Sequence, residues 1–329
     1  MTESEIRLAQ LAQSIGRARR IAAGEDAREE TENYSSLVPD FGQPAMESGA
    51  GRTGDFLKSQ TISHKGDCLV SLLASGSSGN AAFIRCGRTC VLIDAGISCR
   101  RIEKGLRRFG YALSDLDAVL ITHEHTDHVS GLPVLLKRTH MPVYTTQETW
   151  QAIGNKILPF MDRFVRLPRR LSLGEMQIVP FATSHDAARS VGYSLYHGDC
   201  KITLATDLGC ITPDVMTAAS WSDILILESN HDETMLRNGP YPYALQQRIL
   251  GNLGHLSNKT AAGFLSSLPR RGMIKVLLAH RSEHNNTPAL TVQTMRDVLT
   301  DHGLVIGQDI LLRLASATGS VRFLNGGTL

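Results

Sequence analysis

The sequence predicts an α/β domain in which two β-sheets are layered between outer helices, behind a flexible N-terminal tail. Three observations carry that expectation. From Asp67 onward, short apolar β-branched runs recur at close spacing, each bounded by Gly, Ser, Asn or Asp. Helical patterns fall between these runs and lengthen toward the C-terminus. Several of the runs end abruptly in a His or an Asp.

At 329 residues the chain can bury a large core and still carry a tail. Hydrophobic and charged shares of 42% and 20% are those of a globular enzyme, and a net charge of +2 neither requires nor excludes a nucleic-acid partner. The cysteines, Cys68, Cys86, Cys90, Cys99, Cys200 and Cys210, form no CxxC pair, so they read as reduced thiols in a cytoplasmic protein. Cys210 lies near a candidate ligand and reads as packing. No apolar run reaches membrane-spanning length, no signal-peptide core is legible, and Glu3 and Glu5 disfavour a transit peptide. A membrane partner is therefore not expected, and the oligomeric state is not legible.

The chain divides into a tail, residues 1–66, and a domain, residues 67–329. In the tail, Leu8, Leu11, Ala12, Ile15 and Ala22 fall at helical spacing with Arg17, Arg19 and Arg20 alongside, which predicts a short amphipathic helix. Glu25 through Lys65 has little apolar content and reads as disordered. A solvated tail is the preferred reading over a partner-binding helix.

In the domain, Cys68–Ala74, Ala81–Arg85 and Cys90–Ile93 read as strands, the first two joined by the turn Ser75-Gly76-Ser77-Ser78-Gly79-Asn80. Cys99–Phe109 reads as a helix and Ala118–Thr122 as a buried strand, followed by a helix within Gly131–Arg138. Val143–Thr145, Phe164–Leu167 and Met176–Phe181 are short strands. Val191–His197 and Lys201–Ala205 form a hairpin through Gly198-Asp199, and Asp223–Leu227 is a further strand. Helices are expected over Tyr243–Leu250, Asn258–Leu268 and Leu290–His302, with strands at Ile274–Leu278, Ile310–Ala315 and Val321–Leu324.

The candidate chemistry sits where strands stop. Ala118–Thr122 runs into His123-Glu124-His125-Thr126-Asp127-His128. His123 and His125 can converge on one metal from a turn, and Asp127 and His128 can face a second. Imidazole and carboxylate together suit zinc, or manganese where oxygen donors dominate. A polar loop with incidental histidines is the bland alternative, and the density of His and Asp behind one apolar strand weighs against it. The pattern repeats at Asp94, His185, Asp207 and His280, which argues for one convergent site.

THEHTDH, with the upstream strand end IDAG and the downstream SHDA, ATDLG and LLAHRSEHN, resembles the metallo-β-lactamase fold superfamily. The resemblance covers Asp67 to the C-terminus. SLLASGSSGN, ESNHDETML, GPYPYALQQRIL and GHLSN are similar to the YycJ/WalJ-like branch, related to tRNase Z and the β-CASP nucleases. The resemblance implies a four-layered αβ/βα sandwich and a dinuclear-metal phosphodiesterase, with 5′→3′ exonuclease activity on DNA. It places His123, His125 and His185 on one metal, Asp127, His128 and His280 on the other, Asp207 as the bridge, and Asp94 behind a ligand histidine. Two Zn2+ ions are implied, with Mn2+ the alternative.

Two such ions about 3.5–4 Å apart would share a water, lower its pKa and supply a metal-bridged hydroxide. Asp127 or the bridging Asp207 would orient that nucleophile. His255, in GHLSN, resembles the GHST-type histidine of tRNase Z and would contact the phosphate or protonate the leaving group; the alternative is a residue flanking a helix cap. Asn80 is a candidate for presenting backbone N–H groups to phosphate, and His231 and His284 are candidate substrate contacts. Lys137, Arg138, Arg163, Arg166, Arg169 and Arg170 could form a basic rim, and Tyr241 and Tyr243 could stack on bases. Rival functions are a ribonuclease or small-molecule phosphodiesterase, a glyoxalase-type thioesterase or lactonase, and a degenerate binding scaffold. The full set of expected ligands weighs against the last, and the GHLSN histidine against acyl hydrolysis.

Overall fold

The computed structural model describes residues 67–315 and 321–325; the expected tail, residues 1–66, lies outside the described residues. The first sheet runs in the order β14-β1-β2-β3-β4-β5-β6. Its strands are β1 (Cys68–Ala74), β2 (Ala81–Cys86), β3 (Thr89–Ile93), β4 (Ala118–Leu120), β5 (Val143–Thr145), β6 (Phe164–Arg166) and β14 (Val321–Asn325). The second runs β13-β12-β11-β10-β9-β8-β7. It comprises β7 (Leu171–Leu173), β8 (Met176–Ala182), β9 (Val191–His197), β10 (Cys200–Ala205), β11 (Ile224–Glu228), β12 (Ile274–Ala279) and β13 (Ile310–Leu314).

Strands β1, β3, β4, β10 and β11 are buried along their whole length. That is why they read as unbroken apolar runs: each has one face on the other sheet and one under helices. Val70, Ile84, Ile93, Tyr193, Ile202 and Ile226 pack between the sheets. Leu69, Phe83 and Leu92 point the other way, onto helices α1 (Cys99–Arg107) and α3 (Leu132–Arg138). Leu225, Leu227, Val276 and Leu278 do the same on the far side, beneath α5 (Pro213–Ala219), α8 (Asn258–Ser267) and α9 (Pro288–Asp301). The four layers are thus helix, sheet, sheet, helix.

The expected strands and longer helices are present, with ends shifted by a few residues. Four short helices carry no periodic signal of useful length: α2 (Thr126–Val129), α4 (Gln147–Ile153), α5 and α6 (Glu233–Asn238). Helix α7 (Tyr243–Leu250) has the expected bounds. Strand β4 ends at Leu120 rather than at Thr122, although the Ile121 N–H still donates to the Tyr144 carbonyl at 3.0 Å. No helix among the described residues is long and apolar enough to cross a membrane.

Candidate metal centre

Asp94 follows β3, His123–His128 follow β4, His185 follows β8, Asp207 follows β10 and His280 follows β12. Three of these residues have left-handed backbones: Asp94 at φ 61°, Asp207 at φ 59° and His280 at φ 50°. This conformation costs a non-glycine residue about 1–2 kcal/mol. It turns the chain sharply at the strand end, so the Asp207 and His280 side chains face the cleft and Asp94 reaches the back of His128 while the backbone leaves the sheet.

The turns are locked to one another by backbone contacts. The Asn80 N–H donates to the Asp127 carbonyl at 2.7 Å, Gly96 N–H to the Asn80 carbonyl at 2.8 Å, and Ala95 N–H to the His128 carbonyl at 2.8 Å. A Cβ on Gly96 would lie 1.6 Å from the Asp127 carbonyl oxygen, so only glycine fits there.

Four overlapping donor sets result, each with its ligand atoms within 4.8 Å: His123/His125/His185, Asp127/His128/His280, His123/His128/Asp207, and Asp207/Glu228/His255/His280. Asp207 joins the sets, lying 3.5 Å from His128 Nε2, 3.8 Å from His185 Nε2 and 3.5 Å from His280 Nδ1. His185 Nε2 and His125 Nδ1 approach to 3.3 Å.

Most of the imidazoles are anchored from behind, which leaves Nε2 for the cleft. His128 Nδ1 lies 2.8 Å from Asp94 Oδ2, His123 Nδ1 3.0 Å from the Thr122 hydroxyl, and His185 Nδ1 3.2 Å from the Gly254 carbonyl. Thr122 in turn donates its N–H and hydroxyl to Asp94, at 2.8 Å and 2.9 Å. Asp94 therefore orients two histidines rather than one. Such outer partners fix ring tautomer and direction.

Glu228 is the residue that sequence reasoning missed. Its Oε1 accepts from His255 Nδ1 at 2.7 Å and from His280 Nδ1 at 2.8 Å. Its Oε2 accepts from the Leu208 and Leu256 N–H groups at 2.9 Å and 3.2 Å. The available signal was the same one: β11 is an apolar strand that ends on an acid. His255 is thereby aimed by a fully buried carboxylate, with its Nε2 on the cleft side.

The electrostatics are those of a cation site. Burial pushes His123 well below its ordinary value, reinforced by His128, His185 and His125. Burial likewise pushes His185 down to about 4, against the opposing pull of Asp207. Burial would lower His128 too, but Asp207, Asp94 and Asp127 lift it to about 10; the same contest, with Asp207, Asp127 and Glu228 winning, raises His280. Asp127 and Glu228, despite burial, are held below the usual carboxylate range by neighbouring imidazoles. Among the described residues, His123 Nε2 and Asp207 Oδ2 are buried without a hydrogen-bond partner. Unpartnered imidazole nitrogen and carboxylate oxygen at the centre of the cluster fit divalent ions, which would satisfy both.

The open cleft over this cluster has a volume of about 220 Å3 and is lined by His125, Asp127, His185, Asp207, His255 and His280, together with Asn230, Tyr241 and Arg248. Three expected substrate contacts are placed differently. The Asn80 N–H is taken by Asp127, and its side-chain amide lies 3.1 Å from Asp127 Oδ2 and 3.0 Å from His128 Nε2, so it braces the α2 turn instead of presenting N–H groups to phosphate. His231 is buried and does not line the cleft. His284 is exposed outside the cleft lining, its ring edge-on to Tyr241 at 5.9 Å. Tyr243 is 74% exposed at the start of α7. The basic rim divides: Arg138 pairs with Glu103 at 2.9 Å, Arg163 pairs with Asp162 at 2.6 Å, and Arg166 and Arg169 line a separate cleft. Cys210 belongs to none of the donor sets found among the described residues.

Comparison with known proteins agrees with this architecture. The profile of the metallo-beta-lactamase superfamily matches residues 74–247. The chain is 35% identical to exodeoxyribonuclease WalJ of Streptococcus pneumoniae over 244 residues, 73% of this chain and 91% of that protein. It is 32% identical to exodeoxyribonuclease YycJ of Bacillus anthracis over 241 residues, 72% of this chain and 91% of that protein. Among solved structures, YhfI from Bacillus subtilis superposes with a TM-score of 0.58 at 16% identity, covering 79% of this chain and all of that one, a likeness of fold. The chain belongs to the metallo-β-lactamase superfamily.

Proposed function

We propose that the chain is a metal-dependent phosphodiesterase acting as a 5′→3′ exonuclease on DNA. The observation that carries this reading is the Glu228–His255 pair beside the donor cluster, because acyl hydrolysis at such a cluster needs no aimed imidazole next to it. DNA is preferred over RNA because WalJ and YycJ are both named exodeoxyribonucleases. His123, His125 and His185 would hold one ion, and Asp127, His128 and His280 the other, with Asp207 shared. Zn2+ suits this imidazole-rich set, and Mn2+ is the alternative. Bound ions would supply an acidified water and neutralise charge developing on phosphate.

The chain's own residues do the rest. Asp94 and Glu228 fix the directions of His128, His123, His280 and His255. Asp127, held anionic, can orient the attacking water. His255 Nε2, 15% of whose side chain reaches solvent, faces the cleft and can donate a proton to the leaving oxygen. The reduced thiols fit a cytoplasmic protein, and residues 1–66 would form a tail separate from the 67–329 domain.

The test is the purified full chain, with metal counted, offered 5′- and 3′-labelled DNA and RNA in Zn2+ or Mn2+. Mononucleotides should appear first from the 5′ label of DNA. Asp127→Ala should lose several orders of magnitude of turnover, and undiminished cleavage would rule this site out. His255→Ala should keep its metal and cleave slowly; loss of metal would make it a ligand instead. Faster hydrolysis of S-lactoylglutathione than of nucleic acid would reverse the reading.

A further inference from the structure

A second cleft, of about 350 Å3, lies beyond the turn that carries His185. Arg166, Arg169 and Arg189 line it with one acid, Glu148, and with Pro168 and Pro180. Three guanidiniums and one carboxylate make the lining of this cleft net positive. Planar guanidinium groups match phosphate oxygens in pairs. The volume lies in the ordinary range of ligand sites.

This cleft is tied to the metal centre by covalent connection and by hydrogen bonds. Arg189 follows His185 by four positions, so their Cα atoms lie at most about 14 Å apart even fully extended. The Ala188 N–H donates to Glu124 Oε1 at 2.6 Å, inside the THEHTDH turn. The Thr149 hydroxyl of α4 donates to the Arg189 carbonyl at 3.1 Å, and Arg189 Nη1 lies 3.8 Å from Glu148 Oε1. The backbone at Arg189 is therefore fixed relative to the donor cluster. At roughly 3.4 Å of rise per nucleotide, that backbone reach sets a scale of about four nucleotides.

We propose that this cleft is a backbone-phosphate subsite for the DNA strand engaged at the metal centre, gripping a phosphate about four nucleotides from the scissile one. It rests on the nuclease reading and adds a place where strand length is sensed. The test compares the full-length wild type with an R166A/R169A double variant; both side chains are exposed and neither belongs to the metal centre. Substrates are single-stranded oligonucleotides of graded length and bis(p-nitrophenyl) phosphate, and binding of a fluorescent strand in EDTA is followed across a salt series.

The double variant should raise KM about tenfold on strands longer than about four nucleotides, with kcat little changed. Dinucleotides and bis(p-nitrophenyl) phosphate should be hydrolysed as by wild type. The slope of log affinity against log salt should shrink by about 0.7 for each phosphate that the variant no longer neutralises. Equal KM at every length with an unchanged salt slope would overturn the proposal. So would a penalty confined to 5′-phosphorylated strands, which would make the cleft a pocket for a terminal phosphate. A wild type that hydrolyses the small diester but no DNA would instead remove the nuclease reading itself.

Discussion

Glu228 stands at the centre of the residue-scale argument because its two oxygens accept four hydrogen bonds, two from imidazoles and two from backbone N–H groups. An amide cannot replace it, since all four partners are donors and a glutamine offers one oxygen. Glu228→Gln should lower turnover about 10–100-fold, the usual cost of losing an outer carboxylate partner, and loosen metal at His280. Activity and metal stoichiometry measured on the same preparation check this; full activity with full occupancy would show that the dyad is not needed. The donors themselves were legible because each follows an apolar strand. Glu228 carried the same strand-end signal but was missed, because it is the last residue of β11 rather than one beyond it and its role depends on β11 lying between β10 and β12. His231 misled for the opposite reason: it sits among polar residues in sequence, yet it is buried.

At the scale of elements, the site is held by loops that touch backbone to backbone. The absent Cβ of Gly96 is what admits the Asp127 carbonyl of α2. Gly96→Ala should therefore displace the turn bearing Asp127 and His128, costing about 1–3 kcal/mol of stability and most of the metal affinity. Thermal unfolding and metal titration read the two effects together, and a variant with native metal affinity would contradict the interlock. On β10, Lys201 is 4% exposed and donates to the Ser220 carbonyl at 2.7 Å. Burial, with help from Arg271, pushes its pKa down to about 8 against the opposing charge of Asp223. The unfolded chain therefore binds more protons than the folded one between about pH 8 and the ordinary lysine value, so stability rises with pH across that window. Wild type should gain stability relative to Lys201→Met as pH is raised from about 8 to about 10.5, and parallel melting curves would refute the assignment. The long elements could be read from periodicity, whereas α4, α5 and α6, of six or seven residues, are too short for it and are set by caps such as Thr146, Thr212 and Asp232.

Across the whole molecule, the donors come from both sheets: Asp127, His123 and His128 from the first, His185, Asp207 and His280 from the second. Layering was readable from composition and pattern, but strand order was not. That β14 returns to pair with β1, while β13 closes the other sheet beside β12, depends on long-range pairing that no local window contains. This sheet-to-sheet arrangement has a thermodynamic consequence. An ion held by donors from both sheets binds only the assembled sandwich, so its binding free energy adds to folding stability. At a hundredfold excess over its dissociation constant, one ion contributes about 2.7 kcal/mol. For a domain of this size that corresponds to a rise of roughly 5–10 °C in Tm. Chelation should lower Tm by that amount, and added Zn2+ or Mn2+ should restore it. Asp127→Ala should show a smaller metal-dependent increment, because its first donor set remains intact while the second loses a ligand. A melting temperature indifferent to chelator and metal in the wild type would mean that the two sheets meet at this edge without an ion between them.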